Sequence, residues 1–135
     1  MADDIQLEVV TPERRVLSRK VSMVSAPGIQ GEFGVLPGHV PFMTPLGTGI
    51  LAYKSSDGAE ALVVSLGFAE VNNDKVTILA ERADLLSDID PAKAAEELKA
   101  LEERIKGKGL VDEDFARLRA EVERAAARIQ LAGRK

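Results

Sequence analysis

A chain of 135 residues, 45% hydrophobic and 30% charged with a net charge of −4, has the composition of a globular protein with one sizeable core. It contains no Cys, which excludes a disulfide framework, a thiol nucleophile and a Cys-based zinc site, and the acidic balance with few aromatics argues against a nucleic-acid role. It has no run of about 18 apolar residues, so no transmembrane helix is expected, and the acidic start Met1-Ala2-Asp3-Asp4 has the character of neither a secretory signal nor an Arg-rich transit peptide.

Ile5, Leu7 and Val9 alternate with Gln6 and Glu8, the pattern of a half-buried strand. Thr11-Pro12-Glu13 turns the chain and Val16-Leu17 begins a short return. Val21, Met23 and Ser25 share one face of a third predicted strand, which Pro27-Gly28 ends. Gly31 to Pro45 is dense in Gly and Pro, and the missing amide donors of the prolines exclude helix there. Gly49 to Tyr53 reads as another short strand. Ser55-Ser56-Asp57-Gly58 is a hairpin signal, because Asp-Gly tolerates positive φ. Leu62, Val63, Val64 and Leu66 form the return, with a kink expected at Gly67 before Val71. Asn72-Asn73-Asp74 turns into Val76, Ile78 and Ala80. Many short strands separated by such turns predict a sandwich or barrel.

Near residue 90 the periodicity changes. Asp90-Pro91 reads as a helix start, with Asp90 accepting from the first free amides and Pro91 at the first helical position. Ala94, Leu98, Leu101 and Ile105 make one apolar stripe, and Gly107-Lys108-Gly109 stops the helix. Asp112 is the expected cap of a second helix, whose stripe is Phe115, Leu118, Val122, Ala125 and Ile129. Two helices joined by a short Gly-bearing loop pack antiparallel. Ala fills many stripe positions, so the hairpin is expected to be held weakly and able to take a second arrangement. The organisation expected is α+β: an antiparallel β-sandwich over residues 1–86, then an antiparallel α-helical hairpin over 87–135.

These residues resemble the ε subunits of F-type ATP synthases. Gly31-Glu32-Phe33-Gly34-Val35-Leu36-Pro37-Gly38-His39-Val40-Pro41 looks like the family's G-E-x-G-x-x-P-G-H-x-P segment, with every fixed position filled. Gly67-Phe68-Ala69-Glu70-Val71 looks like its G-x-x-E-V strand, and Val76 to Glu81 resembles the strand that follows. The similarity runs along essentially the whole chain, in order and at matching spacing. The resemblance implies a non-catalytic subunit of the rotor. Its sandwich would grip the γ subunit and rest on the ring of c subunits, and its hairpin would lie folded on the sandwich or extend along γ toward the catalytic α and β subunits. Extended, it would obstruct ATP hydrolysis. Membrane contact would come only through the c ring, at the cytoplasmic face of the bacterial inner membrane.

No catalytic constellation or metal-ligand set is visible: there is neither a phosphate-cradling loop ending in Lys-Ser/Thr nor a Gly-x-Ser-x-Gly elbow. His39, the single histidine, has no partner at a recognisable spacing and reads as a loop-shaping or interface residue. Glu32 reads as a solvated turn acid, and the resemblance adds contact with the c ring. Ile89-Asp90-Pro91-Ala92-Lys93-Ala94 resembles the I/L-D-x-x-R-A nucleotide motif of some ε subunits, with Lys93 in place of the Arg and Ala100 where a further basic residue is expected. Arg124 and Arg128, one turn apart, match second-helix arginines of that site, so regulatory ATP is one reading for Asp90, Lys93, Arg124 and Arg128, with a plain helix cap the other for Asp90. Arg117, Arg124 and Arg128 could instead meet an acidic segment of the catalytic β subunits. A free nucleotide-sensing module is the rival function.

Overall fold

A computed structural model describes residues 3–109 and 112–134. Seven strands form one continuous sheet: β1 (Ile5–Val10), β2 (Arg15–Val21), β3 (Met23–Gly28), β4 (Gly31–Val35), β5 (Phe42–Ser55), β6 (Gly58–Asn72) and β7 (Lys75–Leu85). Their order across the sheet is β2-β1-β7-β6-β5-β3-β4. All pairs are antiparallel except β1 with β7. A 3₁₀ turn, Leu86–Asp88, leads into helices α1 (Pro91–Lys106) and α2 (Phe115–Ala132).

The sheet folds over on itself, so side chains from both of its ends meet in one core. Ile5, Leu7 and Val9 of β1 and Val21 of β2 pack with Val24 of β3, Leu51 of β5, Leu62 and Val71 of β6 and Ile78 of β7. Burial of these aliphatic chains is the main stabilising term of the domain. Polar contacts close the seam: Ser22 N–H donates to the Lys54 carbonyl at 2.7 Å, and Arg19 of β2 pairs with Asp57 and Glu60 at the β5–β6 hairpin. The Arg19 guanidinium also lies 5.7 Å from the Tyr53 ring centroid. Burial pushes the Tyr53 phenol up, and so does its hydrogen bond to Glu60.

Bends let long strands serve both layers. β5 and β6 run 14 and 15 residues, where short strands are expected from the sequence. At Leu66 and Gly67 φ is positive, +56° and +120°, and the ladder skips Leu66 on β6, Gly47 on β5 and Glu81 on β7. A Cβ at Gly67 would overlap the Leu79 carbonyl, so only Gly fits the kink. Register is kept through this kink, with one unpaired residue on each strand, but the alternation reverses: Leu62 and Val64 point inward before it, Ala69 and Val71 after it.

The same effect corrects the third predicted strand. Val21, Met23 and Ser25 do not share a buried face; Ser22 breaks the strand, and Val24 and Ala26 turn inward instead. The Gly/Pro-rich segment holds a strand of its own, β4, hydrogen-bonded to β3.

The helices begin and end for local reasons. Asp90 Oδ1 accepts from the N–H of Ala92 and Lys93 at 3.1 and 3.2 Å, Pro91 opens α1, and Gly107 caps its end. Asp112 is not the cap of α2. Its carboxylate accepts from Gly109 N–H at 2.7 Å, which ties the loop, and α2 starts after Asp114. α2 has two buried faces. Leu118 and Ala125 lie on the predicted stripe, while Ala120, Ala127 and Leu131 form a second stripe on the opposite side. Ala127 and Leu131 pack on Val63 of β6, with Ile50, Ala61 and Ile89 around them. α2 thus touches both the sheet and α1, and its Ala positions permit close approach.

Candidate functional site

The outer face of the folded sheet divides at the Leu66–Gly67 kink. On one side, Ile50, Ala61 and Val63 are covered by α2. On the other, strand register sets Pro45, Phe68, Leu79 and Val10 in one row across β5, β6, β7 and β1. Phe68 and Leu79 are each 52% exposed and Pro45 is exposed. Met43, in the next row opposite Glu70, is exposed too. Ile29 joins the edge of this patch, its N–H donating to the Pro45 carbonyl. Exposed apolar side chains gathered in one row are the kind of surface on which another molecule can dock. Strict alternation from Leu62 would put Phe68 inside; the kink puts it outside.

The loop between β4 and β5 adds exposed Leu36 and Val40. Its shape is held by Gly38 N–H donating to Asp74 Oδ1 at 2.7 Å and by His39 N–H donating to the Leu36 carbonyl. The His39 ring lies 5.1 Å from that of Phe42, which meets Phe33 edge-on at 5.3 Å, and Nδ1 bonds the Val40 carbonyl at 2.7 Å. With that nitrogen engaged and no salt bridge to the ring among the described residues, His39 shapes the loop. Glu32 is exposed at the start of β4, opposite Pro27.

On the hairpin, the sequence-predicted residues do not converge. Asp90 spends its carboxylate on the cap of α1, and Lys93 is exposed beside it. Arg124 and Arg128, one turn apart, hold different carboxylates. Arg124 Nε and Nη2 bond the two oxygens of Asp84 on β7, each at 2.8 Å, a bidentate pair with side chains 21% and 14% exposed. Arg128 Nη1 bonds Glu97 of α1 at 3.0 Å, leaving its buried Nε without a partner. A cleft of about 310 Å³ here is lined by Arg82, Arg104, Arg124 and Arg128 with Glu97 and Glu121, and neither Asp90 nor Lys93 reaches it. Arg117 is exposed. Sequence reasoning missed Asp84 and Glu97 because nothing local distinguishes a clamping acid from a solvated one. No cluster of three metal-ligating side chains occurs among the described residues, and no helix there is long and apolar enough to cross a membrane.

Comparison with known proteins agrees with this architecture. The family described as ATP synthase, Delta/Epsilon chain, beta-sandwich domain matches residues 4–85. The ATP synthase epsilon chain of Geotalea daltonii is 42% identical over 134 residues, spanning 99% of this chain and 97% of the relative. That of Nitratidesulfovibrio vulgaris is 45% identical, spanning 98% of each. A chain in the Euglena gracilis mitochondrial ATP synthase structure, containing OSCP, F1 and c-ring, superposes with a TM-score of 0.77 at 27% identity, covering 94% of this chain and 80% of that one. A chain of the Tetrahymena thermophila mitochondrial central stalk and c-ring shares the fold, with a TM-score of 0.55 at 12% identity. With a sheet domain that matches the family, full-length bacterial relatives and the same two-helix ending, the chain belongs to the epsilon chains of F-type ATP synthase, a non-catalytic subunit of that enzyme.

Proposed function

We propose that this subunit works in the central stalk as a mechanical adaptor. The sheet domain docks on the γ subunit and rests on the c ring, and the helical hairpin is an arm that sets whether the enzyme hydrolyses ATP. The observation that carries this reading is the bare apolar row Pro45–Phe68–Leu79–Val10, which lies beside the half of the same face that α2 covers. The chain keeps one half for its own arm and offers the other to a neighbour. The β4–β5 loop, with His39 holding its shape, and Glu32 on β4 supply further contacts toward γ and the polar loops of the c ring, where Glu32 acts as a rim charge that sets register. Contact with the membrane is through the c ring alone, at the cytoplasmic face of the bacterial inner membrane. Arg117, Arg124 and Arg128 are the charges the arm would present to an acidic segment of the β subunits. The test is co-expression with γ and the c ring: the parent chain co-purifies with both, and Phe68→Thr with Leu79→Thr loses γ. Retention of γ by that variant would refute the docking face.

A second reading has one observation in its favour. The cleft lined by Arg82, Arg104, Arg124 and Arg128 is basic and holds the unpartnered Arg128 Nε, which suits a phosphate group of regulatory ATP. Against it, Asp84 and Glu97 already neutralise two of the arginines, and Asp90 and Lys93 lie elsewhere. Calorimetric titration of the full chain with ATP decides: heat of binding that disappears in Arg128→Ala supports the site.

A further inference from the structure

We propose that Asp84 is an internal catch for the helical arm: its carboxylate fills the place that an outside anion would take on Arg124, and the arm leaves the sheet only when this pair is broken. The apolar contact between α2 and the sheet is small, being made by Ala127 and Leu131 on Val63 with Ile50, Ala61 and Ile89 at its margin. Alanine buries little area, so this contact alone holds the helix loosely. The Asp84–Arg124 pair is of the strong kind: two parallel bonds of 2.8 Å, both side chains largely shielded from water, joining residues forty positions apart on different elements. Removing either partner strands a charge in that shielded place. Val63 lies opposite Asp84 across β6 and β7, so the ion pair and the apolar contact form one patch.

The second arginine is tied differently. Arg128 bonds Glu97 on α1, and Glu97 is 51% exposed, so water competes for that pair. Arg124 therefore fastens α2 to the sheet, and Arg128 fastens α2 to α1. Undocking the arm as a hairpin breaks the first and leaves the second intact. It also uncovers Arg124, so the charge that holds the arm down is the charge freed when it rises. A neighbour with a carboxylate at the right place can exchange with Asp84 at little electrostatic cost.

The catch does not depend on the docking role proposed above; only its consequence for ATP hydrolysis does. The full chain, which has no Cys, can be spin-labelled at Asn72→Cys on the sheet and Ala116→Cys on α2, both at exposed positions. Pulsed dipolar spectroscopy then reads the arm position without the assembly. The parent is expected to show one dominant distance. Asp84→Asn should raise the ratio of undocked to docked arm at least about tenfold, the size expected for losing hydrogen bonds between charged groups. Glu97→Gln should change it much less. The swap Asp84→Arg with Arg124→Asp should return the ratio toward the parent. Amide exchange in β1 and β6 restricts the comparison to variants with an intact sheet, and Arg124→Gln breaks the same pair from the other side should Asp84→Asn disturb β7. An unchanged distance distribution in both single variants, or a swap that remains as open as they are, would overturn the catch.

Discussion

Phe68 and Leu79 face each other across β6 and β7, and each leaves half its surface in water. Neighbouring Ala69 and Ile78, one step along, are fully buried. The pair contributes little to the fold and much to whatever covers it. Replacing both by Thr, a residue suited to strands, should leave the free energy of unfolding in urea within about 0.5–1 kcal/mol of the parent. Affinity for γ should fall about 30-fold or more, the scale of an interface hot spot at about 2 kcal/mol. Urea melts and surface binding of the two proteins measure both.

Gly67 carries the kink of β6. With φ at +120° and the Leu79 carbonyl where a Cβ would go, Gly67→Ala should cost about 2–4 kcal/mol, from backbone strain and overlap together. Gly58→Ala, also at positive φ but with open space around it, should cost less. Denaturant unfolding of the two variants tests the ranking, and equal losses would contradict the account of the kink.

Asp90 caps α1. Asp90→Ala should destabilise that helix by about 1 kcal/mol, seen as roughly fivefold faster amide exchange in its first turn, with the sheet unaffected. Asp90→Ser should recover most of the loss. A nucleotide role would add a fall in ATP affinity that Asp90→Ser does not repair.

Asp3 accepts hydrogen bonds from the Ser56 amide and hydroxyl, and these hold its carboxyl below the usual aspartate range. A depressed folded value means that stability is present above the ordinary aspartate pKa of about 3.9 and is lost as pH falls through the lower folded value. Ser56→Ala should raise the Asp3 midpoint measured by NMR. It should also remove part of the acid-induced loss of stability below about pH 4.

Arg117 and Arg124 should separate two roles on the arm. Arg117 is exposed, and no ion pair joins it to the described residues, so Arg117→Ala should only weaken docking to an acidic surface. ATP hydrolysis by the assembled enzyme should then rise about threefold, the scale of an exposed charge pair at about 0.7 kcal/mol. Asp84→Asn should act oppositely, freeing the arm and lowering hydrolysis. Arg124→Ala combines release with a lost docking charge and should fall between them.

Much of the architecture was legible in the chain because it is local. Asp90-Pro91 starts a helix wherever it stands, Asp57-Gly58 closes a hairpin, and Gly67 marks a kink. Of the predicted stripe on α2, Leu118 and Ala125 are buried while Phe115, Val122 and Ile129 are half-buried, and the opposite stripe of Ala120 and Ala127 was hidden, since a small side chain stands out little in the pattern. Asp112 and Asp114 stand two apart, and choosing the cap between them depended on whether Gly109 took the first carboxylate.

Residue order alone determined a strand-rich half followed by two helices, together with the turns and breaks between them, because each follows from the backbone preferences of a few adjacent residues. Only the tertiary structure decided which large apolar chains remain outside and which acid each arginine takes. A positive-φ kink at Leu66–Gly67 turns Phe68 from the core to the surface, and Arg124 meets Asp84 across forty residues through strand and helix placement that no short window contains.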